Sequence, residues 1–511
     1  MKVAIRVDAS SQIGSGHFMR CLTLADALRQ RGAQSRFVSR HLPTHLREML
    51  VARSHEFMLL DGSTNGGIPG DLAHSGWLGT SQRADAEFSI QALFDQTWNW
   101  LVVDHYALDA RWESALRHIA GHILVIDDIA DRRHDCDVLL DQNLVEDMEK
   151  RYRDILPTDC NVLLGPDYAL LQPIYADLHD RLPPREGAIK RILICFGGAD
   201  QQNLTGRALA AFMSLNRQDI QVDVVVSANS PQADAVRRQV TGHSNIHLYG
   251  NLPTLAAMMA KADLAIGAGG ATNWERLCVG LPALVVTIAE NQRAIAAGLH
   301  ERGLVRWLGH QDQVDEEHMA QALGKLIETG LDASWSKNCT KMVDGKGINR
   351  VCIALTTATD IPIRLRCVEF SDEALLLKWA NDPSTRMNAF SSSSISAETH
   401  QRWFRKRLRN PDECVIYIAE TNESLPMGQV RFEKQNSAWE IDYSVVPAFR
   451  GRGLGYRLLE AAISLLRRDH PGAMVLGKVK SSNFASRRIF EALGFDVENP
   501  DAKVVLYKYV L

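Results

Sequence analysis

A chain of 511 residues, 46% apolar and 23% charged with a formal net charge of −4, has the composition of an ordinary soluble globular protein. That balance gives no global pull toward nucleic acid or an anionic membrane. The length, at ~100–200 residues per domain, leaves room for three or four folded units.

The opening stretch MKVAIRVDASSQIG lacks the apolar core of a signal peptide. No apolar run reaches the ~18 residues that a membrane helix needs. The nine cysteines include no C-x-x-C pair, so reduced, buried thiols in a cytoplasmic protein are expected, with neither disulfides nor a metal site.

KVAIRVD reads as a strand, and HFMRCLTLADALRQRG as the amphipathic helix after it, stopped at Gly32. The turn between them carries Gly14, Gly16 and His17. Two glycines permit close backbone approach, and the free N–H groups at a helix start suit a diphosphate. His17 would project from the strand end, where a histidine's ordinary pKa of ~6.5 suits a general base. From position alone, it equally fits an ordinary first-turn helix residue. WNWLVVDHY, HILVIDD and CDVLLDQN follow as buried strands, and strands alternating with helices predict a parallel sheet.

At DRLPPREGAIK a proline pair, a glycine and charges predict a linker. The pattern then restarts with RILICFGGAD, QVDVVVSA, ADLAIGAGG and LPALVVTI as strands. Residues 1–180 and 187–355 are thus expected to be two doubly wound halves with a ligand cleft at their strand ends. Thr272 and Glu275 have capping-box spacing at the start of a helix, and Glu275 equally suits ribose hydroxyls. The Gly-rich turns and polar clusters supply the candidate ligand contacts Gly14, Gly16, Asp104, Gly198, Gly270, Thr272, Asn273, Glu275, Asn291 and Gln292.

Taken in order, DASSQIGSGHFMR, VDHYALDARWE, IDDIADRRHDCD, LLDQN, LLGPDYALL, FGGAD and GAGGATNWE resemble the UDP-sugar hydrolase family of pseudaminic acid biosynthesis over residues 1–355. The resemblance implies a GT-B-like pair of Rossmann halves, similar to the enzyme that completes lipid II. It implies cleavage of UDP from UDP-2,4-diacetamido-2,4,6-trideoxy-β-L-altropyranose. It further implies that His17 is the base on water, Tyr106 a cleft residue near the sugar and Glu275 a nucleotide ligand. Gln172 stands where that family usually has arginine.

After TTATDIP, residues 363–511 read as an α+β domain, with strands CVIYIAE, MGQVRFE and WEIDYSVV. Arg450-Gly451-Arg452-Gly453-Leu454-Gly455 then forms a turn into a helix, a form that presents N–H groups to a pyrophosphate. With the segment from Asn483 to Phe495, this resembles the GNAT N-acetyltransferases. The resemblance makes Val445 and Val446 partners of the pantetheine arm, Arg450 to Gly455 the pyrophosphate cradle and Asn483 a cofactor neighbour. Acetyl-CoA is the expected co-substrate. The family often has tyrosine as the acid where this chain has Phe490, which reads as core.

Glu440 and Asp442 alternate onto one strand face and are candidate bases, or simply a solvated face. The basic run from Arg402 to Arg409 has Trp403, Phe404 and Leu408 at helical spacing, so it reads as an amphipathic helix and not a nucleic-acid patch. By pathway analogy, the two parts would catalyse consecutive steps: acetylation of a UDP-4-amino-sugar, then removal of UDP. Nucleotide sugars and acetyl-CoA are the expected partners, with no nucleic acid and no membrane. A glycosyltransferase-like enzyme with a non-catalytic acetyl-CoA module is the alternative.

Overall fold

The structure, a computed structural model, describes residues 1–10, 12–60, 70–197, 200–227, 230–250, 252–356, 362–421, 424–450, 453–499 and 503–511. The chain forms two compact units, residues 1–352 and 353–511.

The first unit holds two parallel sheets. One comprises β1 (Lys2–Val7), β2 (Gln34–Ser39), β3 (Glu56–Leu59), β4 (Trp98–Asp104), β5 (Ala120–Ile126), β6 (Val138–Asp141) and β7 (Asn161–Leu164), in the order β3-β2-β1-β4-β5-β6-β7. The other comprises β8 (Arg191–Cys195), β9 (Gln221–Val225), β10 (Ile246–Tyr249), β11 (Leu264–Ala268), β12 (Ala283–Thr287) and β13 (Arg306–His310), in the order β10-β9-β8-β11-β12-β13. In both, the strand order reverses beside the first strand, between β1 and β4 and between β8 and β11. Such a switch opens a crevice at the strand C-termini.

Near-continuous apolar strands fit because both faces are covered. In the second sheet Ile192, Ile194, Ile266 and Val286 enter one core, while Leu193, Ala265, Ala283 and Val285 enter the other. Short strands such as β3, β7 and β10 escape a reading of apolar runs, because they lie at sheet edges and mix polar residues into the pattern.

One charge sits inside the first sheet. Arg6 is 1% exposed and donates to Asp8 at 2.7 and 3.0 Å and to Asp85 at 3.0 and 2.9 Å. Trp112 Nε1 also donates to Asp85, at 3.0 Å, and the Arg40 amide to Asp8, at 2.7 Å. This network fixes the end of β1, from which the chain turns toward His17. Deleting one member would strand a buried charge, at a cost of about 3–5 kcal/mol.

The helix Pro173–Arg181 leaves the first half and packs on the second, with Tyr175 in the second core and His179 Nδ1 2.8 Å from the Cys278 carbonyl. The helix that begins at Gly347 comes back: Asn349 Oδ1 accepts from Arg31 at 2.8 Å, and Arg350 donates to the Asp167 carbonyl at 2.8 Å. Exit and return touch. A Cβ on Gly345 would lie 2.7 Å from the Ala176 Cα, and one on Gly347 would lie 2.4 Å from the Ala169 carbonyl oxygen.

The second unit is built on a mixed sheet of β14 (Arg364–Cys367), β15 (Cys414–Glu420), β16 (Pro426–Gln435), β17 (Ala438–Val445), β18 (Met474–Lys480), β19 (Asp496–Glu498) and β20 (Val504–Val510), ordered β14-β15-β16-β17-β18-β20-β19. All its pairs are antiparallel except β17 with β18. The basic run lies on the helix Ala397–Leu408, with Phe404 fully buried and Arg402 largely exposed. No disulfide joins any of the nine cysteines, and the Cys136 and Cys160 sulfurs lie 3.6 Å apart. Among the described residues no helix is long and apolar enough to cross a membrane.

Candidate functional site

At the first switch point the loop after β1 bends through Gly14, whose φ of +79° suits glycine, and enters the helix Gly16–Gln30. A Cβ on either Gly14 or Gly16 would meet nothing within 4 Å, so this backbone is open to a ligand. His17 is the second residue of that helix. Its Nδ1 lies 2.6 Å from Asp104 Oδ1, at the end of β4.

Arg20 donates to both Asp104 oxygens, at 2.6 and 2.7 Å. Burial alone would raise the Asp104 carboxyl, but Arg20 and His17 outweigh it and hold it far below the usual carboxylate range. An ionised carboxylate only accepts. In the contact with Asp104 the proton therefore sits on His17 Nδ1. Asp104 was expected among the nucleotide contacts. Its side chain is fully buried and holds the His17 imidazole at 2.6 Å.

Tyr106 lies 4.7 Å from His17, ring to ring and edge-on. Its hydroxyl donates to Asp128 in a short bond and faces Asn291 Nδ2, across the cleft, at 3.4 Å. Burial and the Asp128 carboxylate push the phenol up, so it stays protonated at neutral pH. Asp128 also accepts from Arg20 at 3.1 Å and from Asn143 Nδ2 at 3.0 Å, and Asn143 Oδ1 accepts from Trp274 Nε1 at 3.3 Å. Two chains of contacts thus run from the His17 side to the helices of the second half.

Arg20, Asp128 and Asn143 escaped the sequence reading. Arg20 is one turn after His17 on the same helix, a spacing that could have found it. Asp128 and Asn143 have no local signal.

At the second switch point Gly270 and Thr272 are partly buried at the mouth of the helix Thr272–Cys278. The expected capping box is absent: Ala271 is the N-cap residue, and no side chain caps the helix. Asn273, expected to touch substrate, is fully buried, with its Oδ1 taken by Arg276. Gln292 Oε1 accepts from the Ile288 amide at 2.9 Å, and its Nε2 would lie 3.4 Å from a Cβ on Gly270, so it braces the Gly-rich turn. Gly198 lies outside the described residues. Gln172 lines a groove with Thr23, Asp26 and Arg53, and His17 is not among the residues lining that groove.

Glu275 is partly buried and interacts with the Tyr175 hydroxyl. Burial pushes its carboxyl up to about 7. With the folded pKa above the ordinary value of 4.5, the native state binds the extra proton. Burial of this group therefore costs stability increasingly as pH rises from about 4.5 to 7, and fully above that.

For ligand binding the sign is opposite. If ribose hydroxyls donate to the ionised carboxylate, UDP affinity rises with pH up to about 7 and levels off. Titration calorimetry between pH 5.5 and 8.5 is expected to show that slope in the wild type. Glu275→Ala is expected to bind UDP more weakly and without the slope, while turnover at saturating substrate falls less.

In the second unit, pairing of β17 with β18 runs from Ala438↔Met474 to Ile441↔Gly477 and then ends. Beyond it the β18-facing edge of Asp442 to Val446 is open, while Val445 remains paired to Gly428 and the Val446 amide donates to the Met427 carbonyl at 2.9 Å. Gly453, at φ +74°, N-caps the helix Leu454–Asp469, and a Cβ on Gly455 would lie 2.9 Å from Ile489 Cδ1. A free strand edge beside an uncapped helix start fits a pantetheine arm and a pyrophosphate.

Arg450 was expected in that cradle. Instead it donates to the Val445 carbonyl at 2.8 Å, to Asp382 at 2.6 Å and to Thr385 at 3.1 Å, so its charge is spent within the fold. Asn483 caps the helix Phe484–Ala492, with Oδ1 accepting from the Ser486 amide at 3.1 Å. Gly451 and Arg452 lie outside the described residues. Phe490 is core, stacked on Tyr507 at 5.1 Å and edge-on to Phe495 at 4.9 Å. Glu440 is ion-paired to Lys478 at 2.7 Å, and Asp442 lies 3.3 Å from Gln429 Nε2. At the divergence itself the Tyr443 hydroxyl lies 2.9 Å from Ser486 Oγ.

Comparison with known proteins agrees with this division. The acetyltransferase (GNAT) domain family matches residues 363–496, and the glycosyltransferase family 28 C-terminal domain matches residues 192–347. The UDP-2,4-diacetamido-2,4,6-trideoxy-β-L-altropyranose hydrolase of Campylobacter jejuni is 25% identical over 59% of this chain and 97% of its own. The spore coat polysaccharide biosynthesis protein SpsG of Bacillus subtilis is 30% identical over 40% of this chain, which spans 61% of that relative's length. An uncharacterized protein of Methanocaldococcus jannaschii is 22% identical over 97% of this chain and 96% of its own.

Proposed function

From a chain that joins a part homologous to a UDP-sugar hydrolase to a GNAT acetyltransferase domain, we propose a bifunctional nucleotide-sugar enzyme of pseudaminic acid biosynthesis. Its first unit hydrolyses UDP-2,4-diacetamido-2,4,6-trideoxy-β-L-altropyranose to the free sugar and UDP. Its second unit acetylates the preceding UDP-4-amino-sugar. The observation that carries the reading is the His17–Asp104 pair, 2.6 Å apart, at a switch point that faces a second nucleotide-type turn.

In the hydrolytic step a water held by His17 Nε2 attacks the anomeric carbon. Its oxygen forms the new C–O bond, its proton passes to Nε2, and the bond to the β-phosphate oxygen breaks, with the electron pair leaving on UDP. Asp104 steadies the imidazolium through Nδ1, as an ionised partner does for a catalytic histidine. UDP needs little acid assistance, so the burden falls on positioning and on stabilising charge. Tyr106 stands beside the sugar. Gly14, Gly16, Gly270, Thr272 and Asn291 border the nucleotide, with Gln292 bracing the turn and Glu275 on the ribose.

In the second unit acetyl-CoA supplies the acetyl thioester. Val445 and Val446 offer the strand edge, and Gly453, Leu454 and Gly455 the helix start for its pyrophosphate, with Asn483 beside it. The sugar amine attacks the thioester carbon, the C–S bond breaks and the departing sulfur takes a proton from water. The amine's own proton leaves through water to the carboxylate face of Glu440.

The glycosyltransferase match over residues 192–347 favours one rival, sugar transfer to an acceptor. Mass spectrometry of products from the UDP-amino-sugar, with and without acetyl-CoA, decides between them. The expected result is acetylated UDP-sugar, then free diacetamido sugar and UDP in buffer alone. A requirement for an added acceptor before UDP appears would establish transfer instead.

A further inference from the structure

Two further rings gather around Tyr106, and one of them, Trp77, also meets the His17 imidazole. They come from residues 74–77, which belong to neither sheet. Trp77 stacks on Tyr106 at 5.5 Å and 24° and turns an edge to His17 at 6.3 Å. His74 packs edge-on against Trp77 at 4.7 Å and against Tyr106 at 5.2 Å. Tyr106 is buried, whereas Trp77 and His74 each keep part of their surface exposed. Burial lowers the His74 pKa, so at neutral pH it packs as an uncharged ring.

Neither ring has a task in the chemistry described above. His17 is already oriented by Asp104, and the nucleotide belongs to the turns of the second half. The part of the substrate that must lie against His17 is the sugar. An aromatic face buries C–H surface well and hydroxyl groups poorly. A hexose with a methyl group at C6 and two acetamido methyls offers such a wall more apolar surface than one with a hydroxymethyl group.

We propose that Trp77, backed by His74, is a shelf for the apolar face of the sugar and selects 6-deoxy, N-acylated sugar nucleotides over hydroxymethyl ones. The assignment rests on the UDP-sugar reading of this cleft.

The test uses the full chain in a His17→Leu background, where a sugar nucleotide stays intact. Titration calorimetry gives Kd for UDP, for the UDP-diacetamido-trideoxy sugar and for UDP-N-acetylglucosamine. Adding Trp77→Ala is expected to raise Kd for the deoxy sugar nucleotide by about tenfold, the scale of one aromatic contact. UDP should stay within about twofold, which also reports a folded cleft, and the preference for the deoxy sugar should fall toward one. Trp77→Phe, which keeps a ring, should recover most of it.

An unchanged preference in Trp77→Ala, or an equal weakening of UDP itself, overturns the shelf. Should Trp77→Ala not fold, His74→Ala decides by the same ratio, with a smaller expected loss of about threefold. Absence of UDP release by the wild type would sink the hydrolase reading, while the binding ratio would still decide the shelf.

Discussion

Replacing His17 by Leu is expected to lower UDP release by ~10²–10⁴-fold, the usual loss for a general base, while thioester cleavage of acetyl-CoA continues at the wild-type rate. The base lies in the unit formed by residues 1–352, and the acetyltransferase domain lies in the other. Leu approximates the volume of the ring but offers no lone pair at Nε2 and no Nδ1–H for Asp104. The Asp104 carboxylate keeps Arg20, at 2.6 and 2.7 Å, so the substitution leaves no buried charge alone. Loss of activity should therefore come without loss of fold, and UDP affinity is the control. Initial rates of UDP release and of free-thiol appearance, measured on one preparation, make the comparison. Near wild-type hydrolysis in this variant removes His17 from the mechanism.

Cutting the chain in the segment 356–362 should separate the two activities. Residues 1–357 are expected to hydrolyse the acetylated UDP-sugar without acetyl-CoA, and residues 360–511 to acetylate the UDP-amino-sugar and release no UDP. Each unit has its own sheet system and core, and Pro362 ends any helix that would continue through the join. Mixed pieces should match the intact chain at high enzyme concentration and lag it when dilute, if attachment works by raising effective concentration. A C-terminal piece that folds and binds acetyl-CoA but acetylates nothing would make the second unit a binding module. Two insoluble pieces would mean that the boundary is wrong.

The strands of the first unit were largely legible because parallel strands buried on both faces appear as apolar runs between Gly-rich turns. The same rule hid Arg6. It sits in the run KVAIRVD, and its partner Asp85 is 79 residues away, a pairing that no local pattern carries. Asp104 and Asn273 are buried for a related reason: a polar residue beside a Gly-rich turn can face inward as easily as outward. Arg450 is drawn into the fold because an arginine's reach lets it satisfy a distant cap, here Asp382, 68 residues earlier in the chain. Phe490 was legible as core because its lost hydroxyl leaves only a ring to bury.

The two passages of chain between the halves of the first unit run side by side, at Ala169 to Ala176 and at Gly345 to Gly347. Two crossings at one place lash the halves together there, and the contacts of the Tyr106 hydroxyl with Asn291 and of Asn143 with Trp274 tie them a second time at the cleft. A side chain at Gly345 or Gly347 would run into the backbone of the other passage and force the lashing apart.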